Sequence, residues 1–143
     1  MTVIKNYWAG LTSNEKPVKF EDLNNGQGTI HYNHNIQEIL VINGEDGSRE
    51  ITDDPKKANG KIYKYDCVRV EFPNTGDNVY HTLLNAKYDS DYQEKLINEY
   101  QSYQFGITKD KAALEDYKAF LKDRLNIRTM VDEDCKECGI PLF

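Results

Sequence analysis

Cys135-Lys136-Glu137-Cys138-Gly139 is the one stretch of this chain whose spacing has a chemical reason behind it. Two cysteines separated by two residues can present both thiolates to one zinc ion, and a glycine just after them relieves crowding in the turn. A structural zinc site takes four ligands, and the chain has no second such pair. His31-Tyr32-Asn33-His34 has a compatible spacing and would complete a set of two cysteines and two histidines, with Cys67 as a further thiol. The long gap between the two pairs is unlike the compact finger arrangement. Two ordinary thiols near the end of the chain are the simpler reading. Redox work has less support, because the pair does not open a helix after a strand, where a thiolate is favoured.

The remaining candidates are weaker. His31, His34 and His81 have the chemistry of general bases, but His81 falls inside a helical stripe and reads as a structural or surface histidine. No serine or threonine sits in a nucleophile elbow, and no glycine-rich loop has phosphate-binding form. Asn24-Asn25-Gly26-Gln27-Gly28 is followed by no helical pattern, so it has no helix N-terminus to offer a phosphate. Asp53-Asp54 and Asp132-Glu133-Asp134 lack calcium-loop spacing and read as solvated carboxylates. These observations favour a protein that is not an enzyme.

Aromatic residues carry a different signal. Tyr80, Tyr88, Tyr92, Tyr100, Tyr103, Tyr117 and Phe120 recur at helical spacing, and packing into a core is the default meaning of such a seam. A protein interface is the alternative, since tyrosine and tryptophan keep one end apolar and the other wet. Tyr7 and Trp8 at one end, and Leu142 and Phe143 at the other, are apolar residues that a lone chain would struggle to bury. They are the expected contacts with other protein subunits, copies of the same chain among them.

The elements that must position these residues divide the chain in two. Val3-Ile4 with Tyr7-Trp8 suggest a first short strand or an arm, and Thr29 to Tyr32 starts another strand. Ile36 to Ile42 ends in an apolar, mostly β-branched run too short for a helix of its own. Gly44-Glu45-Asp46-Gly47 is a turn, and Ser48 to Thr52 can return as the partner of a hairpin. Lys61 to Phe72 is the other clear strand, but its pattern changes phase. Tyr63, Tyr65 and Cys67 share one face, then Val68, Val70 and Phe72 the other, so either both faces are covered or a bulge near residues 66–68 shifts the register.

From Asp77 the period is helical, with Val79, Tyr80, Leu83, Leu84 and Tyr88 on one stripe. Ser90 with Gln93 is a capping-box pattern that starts a second helix, which Gly106 ends. Thr108 or Asp110 can cap a third, with Leu114, Tyr117, Phe120, Leu121 and Leu125 on one face. Strands first and helices after them predict an α+β fold: an N-terminal antiparallel sheet with a hairpin, then about three C-terminal helices packed on one face. Residues 1–130 are expected to form one domain, and 131–143 an acidic tail carrying the two cysteines.

Composition narrows the partners. The chain has 143 residues, 24 acidic against 18 basic, for a net charge of −6, and no basic stripe to hold nucleic-acid phosphates. Solubility explains the acidity; an inhibitor that mimics nucleic acid is the sharper alternative and would need its carboxylates arrayed on one face. No apolar run has signal-peptide or membrane-spanning length, so the expected location is host-cell cytoplasm or virion, without a membrane partner. Three cysteines, an odd count, fit a reducing compartment.

The run Tyr65-Asp66-Cys67-Val68-Arg69-Val70, a Pro/Gly turn, Leu83 to Glu94, and Leu114 to Leu121 resembles small proteins of phage and prophage virion modules. The likeness spans roughly residues 63–125 and consists of packing and capping residues, so no functional residue carries over. It implies a structural or assembly role through protein–protein binding within a larger particle. A small zinc-stabilised binding module built on Cys135, Cys138, His31 and His34 is the competing expectation.

Overall fold

The structure, a computed structural model, describes residues 6–143. Val3-Ile4 lie outside the described residues. The described residues divide into two compact units, 6–72 and 73–143. The first is an antiparallel sheet of five strands and the second is three helices, which is the α+β order expected.

The strands are β1 (Tyr7–Ser13), β2 (Phe20–Asp22), β3 (Ile30–Asn43), β4 (Arg49–Ile51) and β5 (Gly60–Val70). They lie in the order β1-β5-β3-β2, and β4 pairs with the far end of β3. The two β signals at Thr29–Tyr32 and Ile36–Ile42 belong to one long strand, β3. The hairpin to β4 turns at Gly44 to Gly47, where the Ser48 carbonyl accepts from the Gly44 amide at 2.8 Å and Gly47 takes a φ of 85°. Only glycine holds that conformation without a steric cost.

The phase change in β5 coincides with a shift of register and with cover on both faces of the strand. Its register shifts against both neighbours, between His34 and Gln37 of β3 and between Trp8 and Leu11 of β1. Each neighbour inserts one extra residue opposite the same part of β5, so the bulges sit in the partner strands and β5 itself runs through. Both of its faces are also covered there, since Cys67 and Val68 are each buried. Ile30, Tyr32, Val68 and Val70 share one buried face of the sheet. On that face Tyr32 stacks on Phe20, and His34 stacks on Tyr32, with centroids 4.8 Å apart in each pair.

In the second unit, α1 spans Gly76–Lys87, α2 Ser90–Gln104 and α3 Ala112–Cys138. Thr75 caps α1, its hydroxyl accepting from the Asn78 amide. Asp89, not Ser90, caps α2 by accepting from the Tyr92 amide at 2.8 Å. Gln93 therefore makes no reciprocal capping bond; its amide donates to the Tyr88 carbonyl at 2.7 Å and ties α2 back to the end of α1. The aromatic seam is the packing of these helices. Tyr100 stacks on Tyr117 at 4.6 Å, and Phe120 meets Tyr88 edge-on at 5.1 Å. The Tyr88 hydroxyl donates to Asp123 at 2.5 Å.

The third helix departs from expectation in two ways. It does not stop before residue 131; the acidic segment read as a tail is its last two turns. Its buried face is Ala113, Phe120, Ile127, Val131 and Cys135, while Leu121 and Leu125 point to solvent. A seven-residue step from 113 to 120 to 127, then four-residue steps to 131 and 135, keeps one stripe inward for the whole length. Gly139, with φ 74°, ends the helix, and the Ile140 amide returns to the Cys135 carbonyl at 2.9 Å. The chain then runs across the start of α1. The carbonyls of Pro141 and Leu142 accept from the amides of Gly76 and Asp77, both at 2.8 Å, which satisfies two donors that a helix start leaves without intrahelical partners.

Candidate functional site

Of the residues expected to bind zinc, His31 and His34 lie in the first unit and Cys135 and Cys138 in the second, and neither pair is arranged for one ion. His31 and His34 are three apart on a regular stretch of β3, and strand alternation sends them to opposite faces. The His31 ring lies 5.7 Å from Trp8, whereas His34 lies against Tyr32 with its Nδ1 hydrogen-bonded to the Tyr32 carbonyl. Spacing that suits a turn or helix fails in a strand. Cys135 is fully buried in the helical unit and Cys138, one turn on, is exposed. Burial pushes the Cys135 thiol up to about 11, and the carboxylates of Asp132 and Asp134 add to it. That is the reverse of what a metal-binding thiolate needs. Among the described residues, no group of three or more His, Cys, Asp and Glu side chains could hold a metal ion.

The four expected contact residues differ in exposure. Tyr7 and Trp8 are half-buried in β1, paired with Val68 and Cys67 of β5. Leu142 is part of the closure over α1. Phe143 is the one of the four that is fully open to solvent, at 87% exposure.

Trp8 instead lines a cleft of about 270 Å³ on the face of the sheet opposite the Tyr32–Val68 layer. Its walls are Trp8, Leu11, Glu21, His31 and Tyr65, with Cys67 as floor. Pairing explains their convergence. Trp8 and Asn33 flank Cys67 from either side of β5, and Glu21 of β2 sits opposite His31 of β3. The bulge between Trp8 and Leu11 keeps both on one face, where regular alternation would have separated them. Asn33, also in the lining, is fixed from behind. Its amide nitrogens donate to the Val18 and Lys19 carbonyls at 2.8 and 2.7 Å.

The electrostatics of the cleft are one-sided. Burial pushes the Cys67 thiol up to about 11, with Glu21 adding to the effect, and the Tyr65 phenol is raised by burial and the same neighbours. At neutral pH the floor is a protonated thiol, a poor nucleophile. Arg69 pairs with Glu71 at 2.8 Å, and Glu21 has no ion-pair partner among the described residues. The cleft holds an exposed carboxylate beside three rings. Sequence inspection missed it because its walls come from four strands, and only the phase change in β5 hinted that both faces of that strand are used.

A second feature lies at the turn between α2 and α3. Phe105 and Ile107 flank Gly106 and are 77% and 79% exposed. The turn is not loose: the Ile107 and Thr108 amides both return to the Ser102 carbonyl, at 2.8 and 3.3 Å. Beside it is a cleft of about 400 Å³ whose rim carries Glu99, Asp110 and Asp116. No helix among the described residues is long and apolar enough to cross a membrane. Comparison with protein-family models, with curated proteins and with solved structures gives no match to this chain.

Proposed function

We propose that this protein is a non-enzymatic structural or assembly subunit that works by binding other protein subunits, copies of itself included. The observation that carries the reading is the pair Phe105 and Ile107. Single exposed apolar side chains are ordinary on a protein surface. Two large ones on either side of one glycine in a hydrogen-bonded turn, one of them lining a cleft, are the kind of anchor that a partner covers. Phe143 adds a third. The contact set this supports is Phe105, Ile107 and Phe143, whereas Tyr7 and Trp8 have neighbours in their own sheet. A subunit of a larger particle is also what the resemblance of residues 63–125 to phage virion-module proteins would imply.

Sedimentation across a wide range of protein concentration tests the proposal. The expected result is a species heavier than the 16.6 kDa monomer. The double variant Phe105→Ser, Ile107→Ser should return it to monomer with unchanged helical circular dichroism, since neither side chain belongs to the core. A wild-type chain that stays monomeric at every concentration sinks the reading.

A further inference from the structure

The geometry points to the sheet cleft as a socket for a single cationic side chain, lysine or arginine, presented by a partner protein. The inference rests on the protein-binding reading above and gives it a second, chemically distinct contact.

Three properties of the cleft select this occupant. Trp8 and Tyr65 line the cleft, and a desolvated ammonium or guanidinium is attracted to the rings of tryptophan and tyrosine by their quadrupole. Glu21 supplies a carboxylate on the rim that has no ion-pair partner among the described residues, and the neighbouring cation Arg69 is engaged by Glu71. The volume, about 270 Å³, is below the range of about 300–1,000 Å³ typical of drug-sized ligand pockets, and suits one side chain rather than a cofactor.

The competing occupants fit less well. An anion would meet Glu21, and no lysine or arginine among the described residues lines the cleft to hold it. A wholly apolar group would bury the carboxylate rim without compensation, which is costly. A metal ion would find Glu21, His31 and a thiol that stays protonated, and among the described residues no group of three such side chains is placed to hold one. Lys19, the nearest basic residue along the β2 strand, lies outside the lining.

The chain reports on its own cleft, since Trp8 is its only tryptophan. The experiment is a titration of Trp8 emission on the full chain, at matched ionic strength, with N-acetyl-arginine methylamide and N-acetyl-lysine methylamide. N-acetyl-citrulline methylamide serves as a control with the shape of arginine and no charge. The expected result is a saturable change in emission with arginine, lysine or both, and none with citrulline. Glu21→Gln, an exposed substitution, should weaken the response roughly tenfold, the scale of one lost charged contact. No saturable response, an equal response to citrulline, or an unchanged affinity in Glu21→Gln would each overturn the inference. The Phe105→Ser, Ile107→Ser variant should titrate like wild type. The cleft and the assembly reading therefore fail separately, one by emission and the other by sedimentation.

Discussion

The three cysteines show how far environment outweighs motif at the scale of single residues. Cys135 and Cys138 share a spacing that suits metal, yet the helix they occupy buries one and exposes the other. Cys67 forms the floor of the aromatic cleft. Burial holds Cys67 and Cys135 at about 11, well above the ordinary thiol range, so both stay protonated at neutral pH as well as inaccessible. Thiolate fraction and access together set thiol reactivity. A thiol-exchange reagent at neutral pH should therefore titrate one cysteine, Cys138, in the native chain and all three after denaturation. Cys138→Ser should abolish the native reaction. Rapid native labelling of two or three thiols would contradict the packing around Cys135 or Cys67. The sign with pH is also set. Both folded values lie above the ordinary one, so the stabilisation from keeping these thiols protonated is complete below the ordinary thiol value. It is lost as pH rises through about 11.

Element ends were legible where one residue decides them, and illegible where partners do. Gly106 ends α2 as its backbone freedom predicts, whereas the caps at Thr75 and Gly139 were not foreseen. The capping box at Ser90 lost to Asp89, because both residues can cap and the fold takes the one that leaves Gln93 free to bond the end of α1. The length of α3 was hidden by Asp132-Glu133-Asp134, which reads as loop by composition, while Val131 and Cys135 supply the inward stripe that keeps it helical. The closure over α1 had no sequence signal, since it uses backbone carbonyls. It does explain Gly76. A Cβ there would lie 2.9 Å from Leu142 Cδ2 and 3.3 Å from both Leu142 Cα and Cys135 Sγ. Helix propensity favours alanine over glycine by up to about 1 kcal/mol. Overpacking costs about 1–3 kcal/mol, and here part of the obstacle is backbone. Crowding should win. Gly76→Ala is expected to lower the melting temperature and to release Ile140–Phe143 to carboxypeptidase, which should trim the wild-type tail slowly. Equal trimming rates would mean that the closure does not hold the tail.

At the scale of the whole molecule, the order of strands and helices was legible because the hydrophobic period changes once, near Asp77. The sheet cleft was not, because it is a property of pairing among four strands and of two bulges that no single segment encodes. The two surfaces also differ in physics, and the net charge of −6 makes that difference measurable. Copies of an acidic chain repel one another. The contacts proposed through Phe105, Ile107 and Phe143 would be apolar, so added salt should screen the repulsion and leave the attraction intact. A cation seated against Glu21 is held in part by an exposed charge, and salt should weaken it. Self-association is therefore expected to strengthen as sodium chloride is raised from low to moderate levels, while the Trp8 response to arginine amide weakens over the same range. Sedimentation and emission on one preparation would read both trends. If self-association instead falls with salt in parallel with the emission response, charge pairing holds the copies together. The sheet cleft, filled by a basic residue of a neighbouring copy, would then replace the apolar turn as the principal assembly contact.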